Sequence, residues 1–349
     1  LGLPGLIDIH THFMPRNVLD KVWAFFDGVG PALGREWPIH YRADEQVRSD
    51  GLEAFGVRAF TSMVYAHKPG MAAWLNEWAV GFASREPRCL HTSTFYPEPG
   101  ALQYTADAIE AGTRVFKVHV QVGDFSPADP LLTGVWGLIA DADLPVVIHC
   151  GSGPAPGPYT GPGPVAEILA RFPSLRLIVA HMGTTEYLDF LDLAERYENV
   201  GLDTTMSFTD FAEVDSPYPR DALPRVKALG DKVFWGSDYP NIPYPYAHGI
   251  EALIGLDLGD DAMRAAISLA VSTRTSGSTT RDTMPWYSAS SATRRRPVST
   301  MSLTRPGPHI CCSTATPPVS GITPWPTSGS MNFASVEQMR MSHRRARWN

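Results

Sequence analysis

Eight short apolar runs alternate with amphipathic stretches across the first 267 residues, and this alternation predicts an α/β fold, a (β/α)8 TIM barrel. Two further observations favour the barrel over an open doubly wound sheet. No G-x-G-x-x-G turn follows the first run, and histidines and an aspartate gather at the ends of several runs, where a barrel collects its active residues.

The runs are GLIDIH (5–10), VRAFTSMVY (57–65), CLHTSTF (89–95), RVFKVHV (114–120), PVVIHC (145–150), LRLIVAH (175–181), NVGLDTT (199–205) and VFWGSD (233–238). Each is short and largely apolar or β-branched, as a strand covered on both faces requires. Between them lie MAAWLNEWAVGFA (71–83), ADPLLTGVWGLIADA (128–142), GPVAEILARF (163–172) and EYLDFLDLAERY (186–197). Their apolar residues recur three and four apart, which predicts helices with one buried face.

Charge divides the 349-residue chain. Residues 1–267 carry 34 acids against 19 Lys plus Arg, net −15, while 268–349 carry 2 acids against 10 arginines, net +8. That last stretch is rich in Ser, Thr, Pro and Arg and sustains neither helical nor strand periodicity, so the barrel is assigned to 1–267. Two readings of 268–349 stay open, a segment read out of frame and a disordered extension. An acidic body argues against a nucleic-acid partner, and no run is long and apolar enough to cross a membrane. Four cysteines without C-x-x-C spacing argue against a disulfide framework or cysteine-held zinc, and Cys89 and Cys150 read as strand residues. No secretory signal is visible, so a cytoplasmic location is expected.

The chemistry begins in GLIDIHTHFMP (5–15). A strand sends alternate side chains to opposite faces, so Asp8, His10 and His12 share one side while Ile7 and Ile9 take the other. H-x-H alone also suits a strand running out into a loop. Its weight comes from company: His149 ends the fifth run, His181 the sixth and Asp238 the eighth, a joint placement that points to a metal site.

DIHTH, VIHCGSG, IVAHMG and WGSDYPNIPY together resemble the metal-site segments of the amidohydrolase superfamily. The resemblance is to its amidohydrolase-related branch, which includes aminocarboxymuconate semialdehyde decarboxylase-like enzymes, and it runs to about residue 267. It implies one divalent metal held by His10, His12, His149 and Asp238, with His181 beside it as a catalytic residue. Zinc suits such ligands best, with manganese or iron as alternatives. Asp238 would move a proton to and from an activated water, and His181 would steady the oxygen that becomes anionic. Asp8, a layer deeper, is expected to support the ligands. Lys117 lies on the fourth run, from which binuclear members supply a carboxylated lysine; an interior ion pair or a contact to an anionic substrate is preferred here.

Near the mouth, Phe13, Arg16, Lys117 and His67 are the substrate-binding candidates, with Met14, Tyr65 and Phe95 close by and simple packing as the competing reading for the aromatics. Three functions follow: metal-dependent hydrolysis of a small, carboxylate-bearing organic molecule through a metal-activated water, non-oxidative decarboxylation at the same site, or an inactive barrel with a damaged C-terminus. A homo-oligomer is compatible with each.

Overall fold

In the computed structural model of the chain the described residues are 5–259 together with 263 and 266, so the stretch 268–349 and both readings of it lie outside them. Each of the eight apolar runs contains one barrel strand. They are β1 (Leu6–Asp8), β2 (Val57–Thr61), β3 (Cys89–Leu90, continued by Thr92–Ser93), β4 (Val115–His119), β5 (Val146–His149), β6 (Leu177–Val179), β7 (Val200–Asp203) and β8 (Val233–Phe234). All neighbouring strands pair parallel, in sequence order.

β3 breaks at His91 because the carbonyl there accepts the backbone N–H groups of both Arg114 (2.8 Å) and Val115 (3.4 Å), which carries the pairing across to β4. The barrel closes between its first and last strands. Ile9 donates its N–H to the carbonyl of Trp235 (3.4 Å), Asp238 to that of His10 (2.8 Å) and His12 to that of Tyr239 (2.7 Å).

Alternation along the strands separates two environments. Phe116, Val118, Val146, Ile148, Leu177 and Val179 join a large apolar cluster shared with the outer helices. Lys117, Val147 and Ile178, in register with one another, therefore face the interior, and the in-register pair His119 and His149 sits one pleat nearer the C-terminal mouth.

The helices form where the sequence is amphipathic. Helix Tyr187–Arg196 buries Tyr187, Phe190, Leu191 and Ala194, spaced three and four apart. The other expected stretches become Ala72–Arg85, Thr133–Asp141 behind a short 3-10 turn, and Pro162–Arg171. Among the described residues no helix is long and apolar enough to cross a membrane.

Candidate metal centre

The site grows out of the closing seam. Beyond β1 the chain stays extended, and Thr11 bridges to Tyr239 beyond β8, so His10 and His12 face Asp238 across the interior. Gly236 permits this approach, since a Cβ there would come within 2.4 Å of the His10 Cβ and the Thr205 Oγ1. Asp8 lies beneath. Its Oδ1 accepts the backbone N–H of Ser237 (3.0 Å) and of His10 (3.2 Å), and its Oδ2 accepts the Tyr246 hydroxyl (2.8 Å). Burial pushes this carboxyl up to about 7 despite those donors.

Three imidazoles have their proton positions dictated by their neighbours. His10 donates from Nδ1 to Asp203 Oδ2 (2.6 Å), His12 from Nδ1 to the Met63 carbonyl (3.2 Å) and His181 from Nδ1 to the Thr205 carbonyl (2.9 Å). Carbonyl and carboxylate oxygens only accept, so in each neutral ring Nε2 keeps its lone pair. The Nε2 of His12 lies 2.8 Å from Asp238 Oδ1 and that of His10 lies 3.6 Å from the same oxygen. Lone pair facing carboxylate is repulsive unless a cation, a proton or a metal ion, lies between them. This donor set fits a divalent cation. One ligand atom from each of His10, His181 and Asp238 falls within 4.8 Å of the other two.

The electrostatics agree. Burial, then the charge of Lys117, pushes His10 well below the usual histidine range, and burial with His181 does the same for His149. Burial opposes ionisation of Asp238, yet the imidazoles of His12, His10 and His181 gathered around it hold its carboxyl far below the usual range. Lys117, fully buried, is lowered by that burial to about 8 against the pull of Asp203 and Asp238. Its ammonium donates to His10 Nε2 at 3.1 Å.

Of the residues expected at the site, His10, His12, His149, His181 and Asp238 come together at the C-terminal end of the barrel, with Lys117 on its floor. His149 rings with His181 at a centroid distance of 4.8 Å, and its Nε2 donates to the Gly153 carbonyl (3.1 Å) in the proline-rich loop. His67 follows β2, half-buried.

The other two substrate-binding candidates are placed elsewhere. Phe13 is fully buried, packed on Phe60 and Phe82 with centroids 5.0 and 4.9 Å away, under the Arg48 guanidinium. Arg16 is exposed and held by Asp20 (2.7 Å) and Asp44 (2.9 Å). Phe95 likewise packs in the core, against Phe116 and Trp136.

Two further residues meet this group of side chains. Asp203, at the end of β7, orients His10, and its other oxygen accepts the Thr205 N–H at 2.6 Å. Its one sequence signal is an acid near the end of the seventh run, two residues before Thr205. His119, at the end of β4, stacks its ring on His149 at 3.9 Å with planes 13° apart. Backbone strain marks the same mouth. Met63, His181, Met182, Met206, Phe208 and Asp238, all following barrel strands, have φ between 38° and 71°. Such conformations cost about 1–3 kcal/mol each and gather where a site needs its side chains aimed.

Fold and site together define a barrel enzyme with a histidine and aspartate centre at the C-terminal ends of its strands. The chain belongs to the amidohydrolase family, whose profile, described as Amidohydrolase, matches residues 7–268. This is a metal-dependent enzyme family that acts on small molecules.

A search of the curated proteins finds no match. Among solved structures, an uncharacterized TIM-barrel protein from Bordetella bronchiseptica is similar, with 17% identity, a TM-score of 0.62, and 75% of this chain and 95% of that chain covered. A Pseudomonas putida protein assigned as a 2-pyrone-4,6-dicarboxylic acid hydrolase is 15% identical, with a TM-score of 0.52 and coverage of 76% and 95%. A 5-carboxyvanillate decarboxylase from Novosphingobium aromaticivorans, complexed with manganese and 4-hydroxy-3-methoxy-5-nitrobenzoic acid, is 16% identical, with a TM-score of 0.50 and coverage of 75% and 93%. At these identities the likeness establishes the fold.

Proposed function

We propose that the protein is a metal-dependent hydrolase of small, carboxylate-bearing organic molecules. In this reading His10, His12, His149 and Asp238 hold one divalent ion, zinc by ligand chemistry with manganese or iron as alternatives, and His181 works beside it. The observation that carries the reading is the set of inward Nε2 lone pairs facing the Asp238 carboxylate, each fixed by an acceptor on Nδ1. When bound, a divalent cation would polarise a carbonyl and bring the pKa of water towards neutrality.

The chain's own groups do the rest. Asp238 Oδ1 faces His12, and Oδ2 is left to take a proton from the attacking water and return it to the leaving group. His181 presents a lone pair, so it takes up a proton before it can donate to a developing oxyanion.

Decarboxylation is the second reading, favoured by the likeness to the 5-carboxyvanillate decarboxylase. It uses the same groups, with Asp238 passing a proton to the carbon that loses carbon dioxide. The test is a panel of aromatic and unsaturated carboxylic esters, amides, lactones and acids on metal-loaded protein, scored separately for hydrolysis products and released carbon dioxide. Hydrolysis products are expected; carbon dioxide alone would replace the first reading with the second, and protein that retains no metal would remove both. His181→Ala is expected to keep most of the metal while losing turnover about a hundredfold. Since His181 lies close enough to Asp238 and His10 to share an ion, metal loss matching that of His10→Ala would make it a ligand.

A further inference from the structure

Five histidines meet at the mouth, and four of them have an Nε2 or Nδ1 lone pair left after their proton is committed to an oxygen. His119 is the reverse. Its Nδ1 accepts the backbone N–H of Val122 (3.3 Å), so Nδ1 carries no proton and Nε2 must carry one, whatever the pH at which the neutral ring persists. A ring committed in this way cannot offer Nε2 to a metal, but it offers an N–H.

The direction of that N–H is set by packing. His119 stacks on His149 on one side (3.9 Å between centroids, 13° between planes) and meets the Tyr65 ring on another (5.2 Å). It lies on the interior face of β4, one pleat above Lys117, and is half-buried where Lys117 is wholly buried. No described residue accepts from Nε2, and that atom is not among the buried polar atoms left without a partner, so it opens to solvent at the mouth.

We infer that His119 is a substrate-anchoring residue whose Nε2–H donates to a carboxylate oxygen of the substrate. An oriented N–H with an ammonium beneath it on the same face selects an anionic acceptor over a neutral one. The inference rests on the proposed small-carboxylate reading and names the contact that would recognise the carboxylate. It also separates labour between paired strands: His149 on β5 keeps a lone pair on Nδ1, and its stacked partner on β4 keeps a proton on Nε2.

Two substitutions test it. In His119→Asn a short side-chain oxygen can still accept the Val122 N–H while the distal donor is lost. In His119→Gln an amide N–H is kept at the reach of Nε2. Binding of benzoate to the full chain is measured by calorimetry, with and without added zinc, alongside metal content by mass spectrometry. Asn is expected to weaken benzoate at least tenfold and Gln to stay within about threefold of wild type, with metal content unchanged in both. Benzoate affinity equal to wild type in the Asn variant would overturn the inference, as would equal losses in Asn and Gln, which would assign the effect to the stacked ring. A wild-type chain that takes up no zinc would count against the metal centre alone, and the His119 comparison is then read from the zinc-free titrations.

Discussion

Asp203→Asn is the substitution on which the metal centre depends most directly. Asp203 is fully buried and accepts two N–H groups, His10 Nδ1–H on Oδ2 and the Thr205 backbone N–H on Oδ1, both at 2.6 Å. A neutral amide has one accepting oxygen, so one of the two donors must lose its partner. If the oxygen stays on Thr205, the amide N–H meets Nδ1 and His10 is forced to carry its proton on Nε2, pointing at Asp238 and at the Lys117 ammonium 3.1 Å away. The lone pair on which metal binding relies is then gone.

Loss of an orienting partner of this kind weakens metal binding about 10–100-fold, or about 1.4–2.7 kcal/mol. If the oxygen turns to His10 instead, the Thr205 N–H is stranded in the interior at a cost of about 1–3 kcal/mol to folding. Competition against a zinc chelator and urea unfolding of the apo protein, run on the same preparations, read the two outcomes. At least one must fall by about these amounts. Wild-type zinc affinity together with wild-type stability would refute the orientation of His10 by Asp203.

Phe13→Ala should lower unfolding free energy by about 3–5 kcal/mol in urea titrations, because the ring fills a site between Phe60 and Phe82 rather than facing the mouth. Gly236→Ala should destabilise the fold by about 1–3 kcal/mol and lower zinc uptake, since its methyl would collide with the His10 Cβ; circular dichroism melts and metal analysis check both. His91 provides a pH test: burial lowers its pKa below the ordinary histidine value of 6.5, so the unfolded chain takes up the proton more readily. Stability from this group is therefore present above about pH 6.5 and lost as pH falls below it, and His91→Gln should flatten that part of a urea stability profile measured from pH 7.5 to 5.

What the sequence made legible follows from the architecture. Parallel strands covered on both faces are largely apolar, so all eight appear as short, mostly apolar runs, and a barrel gathers chemistry at one end of them. His10, His12, His149, His181 and Asp238 were visible for that reason. Phe13 was expected at the mouth and lies in the core, and the period-two rule gives the reason: the alternation that turns His10 and His12 inward turns Phe13 outward to the helices. Arg16 has Asp20 four residues on, a spacing that pairs them on one helix face. Asp203 is a different matter. Its partner lies 193 residues away, and nothing local separates an acid that orients a histidine from one that ends a strand.

Placing the centre at the seam between β1 and β8 ties catalysis to closure of the barrel. The backbone bonds that join the first strand to the last, Asp238 N–H to His10 and His12 N–H to Tyr239, belong to the same residues whose side chains face one another across the site. Asp8 reinforces the link, because a single carboxylate accepts from β1 at His10, from the chain beyond β8 at Ser237, and from the following helix at Tyr246. A cation held by His12 and Asp238 would join residues 226 positions apart. Order at the centre and order at the seam are one structural event, and the strained φ of 71° at Asp238 is tolerated because two strands and a helix fix the residues around it.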